Sequence, residues 1–210
     1  MGVTLKIGRI GRKKTEHTRG YKEMTGRRTI MKATGIVRRI DDLGRVVIPK
    51  EIRKTMRIRE GDPLEIFTDK DGGVVFRKYS LLSGLTDFAA QVCETLNRTT
   101  GQTTVMTDRD GCVAAAGAPK RELLGRSVSG ELEGLMEDRQ VYQHREGEPE
   151  LPLLRGDSPY ILDTAAPILC QGDVLGCILF AGEPGRCSGG DVEYKLAQAM
   201  AAFLGRHLEN

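Results

Sequence analysis

Apolar residues in the first 80 positions come in short runs that are separated by turn residues. Runs of this kind, rich in Val and Ile, predict four short strands, over 34–41, 45–48, 64–68 and 74–79. Pro49 ends the second strand and can occupy the first turn of a helix, so a short helix is expected over 50–56. A mainly β unit of this size buries only a marginal core, and it is therefore expected to fold as a tightly paired dimer.

After residue 80 the apolar spacing becomes helical and the strands become longer. Leu82, Leu85, Val92 and Leu96 lie on one face of an amphipathic helix that is predicted over 81–99. Further strands are predicted over 103–106, 112–116, 160–170 and 174–181. Helices are predicted over 121–124 and 131–139, a loop over 146–159, and a final helix capped by Ser188. This order predicts an α/β unit with an antiparallel sheet.

The formal net charge of +3 conceals two opposite contributions. Residues 1–80 carry 21 Lys/Arg against 10 Asp/Glu, whereas residues 81–210 carry 11 against 19. A basic part beside an acidic part indicates that one of them meets a polyanion and that the other has a different task. Within the predicted β unit, positive charge is concentrated over 31–59, where the net charge is +6.

Residues 1–30 hold nine basic residues and five glycines without a sustained hydrophobic period. We expect a flexible basic tail, which either helps to hold nucleic acid or is translated sequence upstream of a natural start at Met31. No apolar run follows the basic residues, so a secretory signal is not expected. No run of 18 apolar residues occurs anywhere, so no transmembrane helix is expected.

Five cations within 17 positions are the candidate DNA-binding residues: Arg38, Arg39, Arg45, Arg53 and Lys54. They are interleaved with the apolar residues of two predicted strands and the short helix, which would hold them at fixed spacing. Guanidinium groups bind phosphate oxygens or a guanine edge in a fork. A dimer would present two such sets with two-fold symmetry. The pattern therefore predicts binding to double-stranded DNA.

The same stretch carries a specific motif. It reads Thr-Gly-Ile-Val-Arg from Thr34, then Asp-Asp-Leu-Gly-Arg-Val-Val-Ile-Pro from Asp41 and Glu-Ile-Arg from Glu51, with Gly61-Asp62 after it. With this motif, residues 31–80 resemble the AbrB/SpoVT-type DNA-binding domain. The order of elements over 81–210 is similar, by pattern, to SpoVT-type regulators, in which a GAF-type sensor domain follows.

The resemblance implies an N-terminal all-β barrel of the AbrB type, formed by swapped hairpins of two chains, and a C-terminal α/β GAF-like domain with an antiparallel sheet. It implies that helices flanking the GAF-like domain join protomers into a tetramer. The implied function is activation and repression of late sporulation genes, in the cytoplasm and on the nucleoid. The DNA contacts of the family fall on the five cations. Relatives often have Arg at the last position, so Lys54 is expected to contact phosphate rather than bases.

Nothing in the sequence identifies a ligand of the GAF-like domain. We expect this domain either to sense an unknown small molecule or to serve in oligomerisation, without a cofactor or a metal ion. The strand residues that face a possible pocket are expected to be plain core: Thr104, Met106, Ala114, Ala116, Pro167 and Ile168. Five cysteines without Cys-x-x-Cys spacing predict buried, reduced thiols.

Two other classes of function compete with this reading. An antitoxin-like module would use the same barrel to bind both DNA and a protein partner. Such antitoxins usually end in a short disordered acidic tail, whereas residues 81–210 are patterned to fold. An enzyme is not expected, because His17, His144 and His207 stand in no pattern typical of a triad or metal site and no phosphate-binding glycine motif occurs.

Overall fold

The computed structural model describes residues 34–68, 72–186 and 190–209, together with the backbone of two short strands, β1 (Tyr21–Lys22) and β2 (Arg28–Thr29). β1 and β2 pair in antiparallel fashion. The rest of the predicted flexible tail over 1–30 lies outside the described residues. Contacts divide the chain into two compact units, with the boundary between Tyr79 and Ser80.

The described part of the N-terminal unit contains, besides β1 and β2, a short helix and a hairpin. Helix α1 (Lys50–Thr55) directly follows Pro49, as the sequence predicts. Strands β3 (Leu64–Thr68) and β4 (Val74–Lys78) pair in antiparallel fashion, with Leu64 opposite Lys78. Both strand predictions are confirmed to within one residue.

The strands predicted over 34–41 and 45–48 are not formed in the single chain. A turn joins the two segments: the Gly44 N–H donates to the Asp41 carbonyl, and the Asp41 N–H donates to the Arg45 carbonyl, both at 3.0 Å. Gly44 has a φ of 77°, which favours glycine at this position. The strand prediction is wrong for the isolated chain, because a β-branched segment forms a ladder only where a partner strand satisfies its backbone groups.

The C-terminal unit is built around a five-stranded antiparallel sheet with the spatial order β6-β5-β9-β8-β7. Its strands are β5 (Thr103–Asp108), β6 (Cys112–Ala116), β7 (Tyr142–Gln143), β8 (Ile161–Cys170) and β9 (Asp173–Gly182). Gln171 and Gly172 have φ values of 51° and 88°, which suit the two-residue hairpin turn between β8 and β9. Four of the five strands are predicted from sequence; β7 is too short to show a period.

Helices cover both faces of this sheet. They are a 3₁₀ turn (Leu82–Leu85), α2 (Thr86–Thr100), α3 (Lys120–Leu123), α4 (Gly130–Glu137) and α5 (Asp191–His207). Ser129 caps α4 by accepting a bond from the Leu132 N–H at 3.0 Å. The capping residue of α5 is Gly190, not Ser188, so that prediction is wrong; Ser188 itself lies outside the described residues. The carboxylates of Asp191 and Glu193 in the first turn suit the positive end of the helix dipole.

Each face of the sheet carries its own apolar core. On one face, Met106, Ile178 and Phe180 pack with residues of α2 and α5. On the other, Val105 and Leu179 pack with residues of α3, α4 and the loop that precedes β8. The strand residues expected to be plain core are all buried, and four of them belong to the first cluster: Met106, Ala114, Ala116 and Ile168.

The described cysteines are buried and unpaired: Cys93, Cys112, Cys170 and Cys177. Burial raises the pKa of the Cys93 and Cys112 thiols to about 12, and it raises the pKa of Cys177 further. These thiols are therefore protonated at neutral pH and act as small apolar side chains, as the sequence predicts. Cys187 lies outside the described residues.

Candidate nucleic-acid interface

The turn over 41–45 orients one of the five candidate cations. The Asp41 carboxylate accepts bonds from the N–H groups of Leu43 (3.1 Å) and Arg45 (2.7 Å) and from Nε of the Arg45 side chain (2.8 Å). These bonds hold the pKa of Asp41 below its usual range; the bond from the Arg45 backbone contributes most, followed by the one from its side chain. The Arg45 side chain remains 70% exposed, so its guanidinium lies at the surface with Nε fixed by Asp41.

Arg38 and Arg39 lie on the segment that leads into this turn, and both are exposed. Their neighbours Val37 and Ile40 are exposed as well, at 74% and 59%. Two exposed arginines thus lie between two exposed apolar side chains, on a segment that makes no ladder in the single chain.

Arg53 and Lys54 lie in the last turn of α1, and both are exposed. Basic side chains at this end of a helix suit the negative end of its dipole. The helix ends in a Schellman-type arrangement: the Ile58 N–H donates to the Arg53 carbonyl at 2.8 Å, and the Arg57 N–H donates to the Lys54 carbonyl at 3.3 Å. The two cations therefore stand on a helix end whose closing bonds are fixed by the residues that follow.

The five cations thus occupy three consecutive pieces of the N-terminal unit: the segment before the turn, the turn itself, and α1. All five side chains are exposed. Sequence reasoning missed the part of Asp41, although its spacing from Arg45 around a glycine turn was an available signal. It also missed the two groups that fix the chain after α1, Asp62 in the turn before β3 and Lys78 on β4.

The C-terminal unit has an open cleft of about 420 Å³ at one end of the sheet. Charged and polar groups around it are already paired: the Tyr160 hydroxyl donates to Glu122 at 2.9 Å, and Arg186 contacts Glu183 at 2.9 Å. Burial, together with the bond to Glu122, raises the pKa of Tyr160. Within the described ranges, no three His, Cys, Asp or Glu residues are grouped so as to hold a metal ion. None of the helices described there has the length and hydropathy of a membrane-spanning segment.

Comparison with known proteins places this architecture. A family model described as "Stage V sporulation protein T C-terminal, transcription factor" matches residues 84–209. Stage V sporulation protein T of Bacillus subtilis (strain 168) is 44% identical over 180 residues, which cover 85% of this chain and 99% of that protein. The chain belongs to the SpoVT family of transcription factors. The resemblance seen in the sequence is confirmed.

The N-terminal unit of this SpoVT-family chain has matches of its own. A model described as "Antidote-toxin recognition MazE, bacterial antitoxin" matches residues 37–81. The transition state regulatory protein AbrB of Bacillus subtilis (strain 168) is 57% identical over 49 residues, which are 23% of this chain and 50% of that protein. An AbrB-like N-terminal domain is therefore present, and the C-terminal unit has the antiparallel sheet and helices that the sequence predicts.

Sequence identity to solved structures is lower than to these relatives. A type II free methionine-R-sulfoxide reductase from Thermoplasma acidophilum aligns with 60% of this chain and 93% of its own, at 12% identity and a TM-score of 0.44. A GAF domain/HD domain protein from Geobacter sulfurreducens aligns with 61% of this chain and 97% of its own, at 19% identity and a TM-score of 0.41.

Proposed function

We propose that this SpoVT-family protein is a sequence-specific DNA-binding regulator of late sporulation genes, an activator at some promoters and a repressor at others. The DNA contacts are made by Arg38, Arg39, Arg45, Arg53 and Lys54. The observation that carries this proposal is the set of five exposed cations on a segment with a net charge of +6, in a chain of a transcription-factor family.

The cations have different tasks in this proposal. Asp41 bonds Arg45 through Nε, so the two terminal nitrogens of that guanidinium serve the nucleic acid, as a fork to phosphate or to guanine. Lys54 is a point charge and contacts phosphate. If the four arginines and Lys54 of two protomers each neutralise one phosphate, the logarithm of the binding constant falls with the logarithm of salt concentration with a slope of about −9.

The DNA-binding form is a dimer built by swapped hairpins of the N-terminal units. Five large apolar side chains support this within 12 positions, all of them exposed in the single chain: Ile36, Val37, Ile40, Leu43 and Val47. An exposed apolar group of this density marks an interface. Pairing with a second chain would bury these side chains and supply the backbone partners that 34–48 lacks in one chain.

The helices α2 and α5, which flank the GAF-like domain, join two such dimers into a tetramer. Exposed apolar side chains on α5 support this, with Val192 at 63% and Phe203 at 51%. The ring of His207 stacks on Phe203 at a centroid distance of 5.7 Å and contacts Phe88 of α2 at 5.3 Å. This aromatic group links the two helices and forms a surface on which a second copy can pack.

The C-terminal domain senses an unknown small molecule or serves in oligomerisation, without enzymatic activity and without a cofactor. The family model that matches residues 84–209 is described as a transcription factor, which supports a binding role for the C-terminal domain rather than a catalytic one.

The protein works in the cytoplasm, associated with the nucleoid. The domains are a basic segment over 1–30, the DNA-binding domain over 31–80 and the GAF-like domain over 81–210.

The match to an antitoxin model over 37–81 favours one second candidate, an antitoxin-like module that also binds a protein partner. The two apolar cores of the C-terminal unit count against it, because antitoxins of this kind end in a disordered tail. Limited proteolysis separates the two: the regulator yields a resistant C-terminal fragment, whereas digestion of everything after residue 80 would favour the antitoxin.

Gel-shift titration tests the DNA contacts on a duplex that the wild-type protein selects from a random library. We expect Arg38→Ala, Arg45→Ala and Arg53→Ala each to weaken binding at least tenfold, since two contacts are lost per dimer. Arg121→Ala is the matched control, because it removes an exposed cation from the acidic half. Unchanged binding by all three variants would end the proposal.

A further inference from the structure

One buried ion pair fixes the chain on the C-terminal side of α1. Nζ of Lys78, on β4, lies 3.1 Å from Oδ2 of Asp62. The Asp62 side chain is only 3% exposed and the Lys78 side chain 24%, so the pair is shielded from solvent. Asp62 lies in the turn that leads into β3, which pairs with β4. The pair therefore ties this turn to the β3–β4 hairpin.

Both members of the pair also bond the backbone between α1 and β3. Nζ of Lys78 donates to the Arg57 carbonyl at 2.9 Å, and Oδ2 of Asp62 accepts from the Arg59 N–H at 2.8 Å. The segment over 57–59 is thus fixed at both of its ends by one side-chain pair. We name Lys78 and Asp62 the clamp.

Arg57 makes this fixation necessary. Its φ is 52°, a left-handed conformation that helix ends usually assign to glycine. A residue other than glycine is disfavoured in this conformation, so the conformation persists only where the surrounding structure holds it. The bond from Lys78 to the Arg57 carbonyl supplies such a hold.

The closing bonds of α1 pass directly through the clamped segment. Arg57 and Ile58 donate to the carbonyls of Lys54 and Arg53, which carry two of the proposed DNA contacts. A change of conformation at Arg57 would open these bonds and turn the last helical turn, and with it the two cations. Base readout depends on such geometry far more than phosphate contact does.

We propose that Lys78 and Asp62 are positioning residues for DNA recognition: they aim Arg53 and Lys54 at their contacts and do not touch DNA themselves. This inference rests on the proposed function. It predicts that loss of the clamp relaxes discrimination between sequences, while the number of phosphates contacted stays the same.

The test compares full-length wild type with Lys78→Met, which keeps the length of the side chain and removes its donors. The probes are a duplex selected from a random library by the wild-type protein and a scrambled duplex of the same composition. We expect the ratio of the two affinities to fall at least tenfold, because one base contact is misdirected in each of two protomers, and we expect the salt slope to stay unchanged. Lys78→Arg restores a donor and a charge, so it should recover the ratio.

Arg77→Met is the matched control, since it removes an exposed cation one position earlier on the same strand. It should keep the wild-type ratio. If Lys78→Met fails to fold, the double variant Asp62→Leu/Lys78→Met avoids an unpaired buried charge and still lacks the bond to Arg57. It should show the same loss in the ratio of the two affinities.

Three results would overturn the inference. The first is that Lys78→Met, or the double variant Asp62→Leu/Lys78→Met, keeps the wild-type ratio of affinities for the selected and scrambled duplexes. The second is an equal loss of affinity for both duplexes together with a lower unfolding midpoint, which marks a purely structural role. The third is a salt slope shallower by about two, which marks a direct phosphate contact in each protomer. Failure of the wild type to select any sequence would instead refute the proposed function, and the inference with it.

Discussion

Two glycines in helices of the C-terminal unit should respond to alanine with opposite signs. Gly205 of α5 is buried against β8, and a Cβ there would press on the carbonyl oxygen of Leu169. Gly134 of α4 has no atom within 4 Å of the place a Cβ would take. Neither has a left-handed backbone, so the neighbours alone decide the result. The pair isolates the close approach of α5 to the sheet.

The magnitudes follow from two opposing effects. Alanine in a helix interior is favoured over glycine by about 1 kcal/mol. At Gly205 an overpacking cost of about 2–3 kcal/mol, the upper part of the usual range, outweighs this gain, because the opposing atom is backbone that is held by the β8–β9 ladder. We expect Gly205→Ala to lose about 1–2 kcal/mol and Gly134→Ala to gain about 0.5–1 kcal/mol.

Thermal unfolding followed by far-UV circular dichroism measures both variants. At about 4 °C per kcal/mol for a unit of this size, Gly205→Ala should unfold about 4–8 °C below wild type and Gly134→Ala about 2–4 °C above it. Faster hydrogen exchange of the β8 amides in Gly205→Ala would assign the loss of stability to this strand. A midpoint for Gly205→Ala at or above that of wild type would refute the packing of α5 on β8 described above.

Three further predictions concern assembly, pH and the turn. Phe203→Glu should leave the DNA-binding dimer intact and halve the mass of the assembly in light scattering; a wild-type mass would remove Phe203 from the tetramer interface. Burial raises the pKa of the Cys93 thiol from the ordinary 9.0 to about 12, so the unfolded chain loses this proton first and stability falls as pH rises from 9 to 12. Cys93→Ala should reduce that fall by about 1.4 kcal/mol per pH unit in denaturant titrations, and an unchanged fall would contradict the burial of Cys93. Asp41→Asn should keep the turn but release the Arg45 guanidinium, which weakens DNA binding; equal binding by gel shift would show that the ion pair does not orient Arg45.

The longer elements were predictable because their periods extend over many residues. The helix after residue 81, the strands around the Gln171-Gly172 turn and the short helix after Pro49 all follow the sequence pattern. β7 could not be predicted, since two residues carry no period. The segments over 34–48 have strand-forming sequence but no ladder, because propensity does not supply a partner strand.

The five candidate cations were predictable as a group, because their number and their motif are visible in the sequence. Their orientation was not. The bond from Arg45 to Asp41 depends on the turn at Gly44, and the Lys78–Asp62 pair joins residues that meet only through the register of β3 with β4. A pattern of residue types shows neither of these contacts.

The central claim is that exposed arginines of the N-terminal unit bind DNA phosphates, and the salt dependence of operator binding tests it most directly. We predict a log–log slope of about −9 for wild type and about −7 for Arg45→Ala, because one phosphate contact is lost in each of two protomers. Arg121→Ala, in the acidic half, should keep the wild-type slope. A slope that is the same for Arg45→Ala as for wild type would contradict the claim.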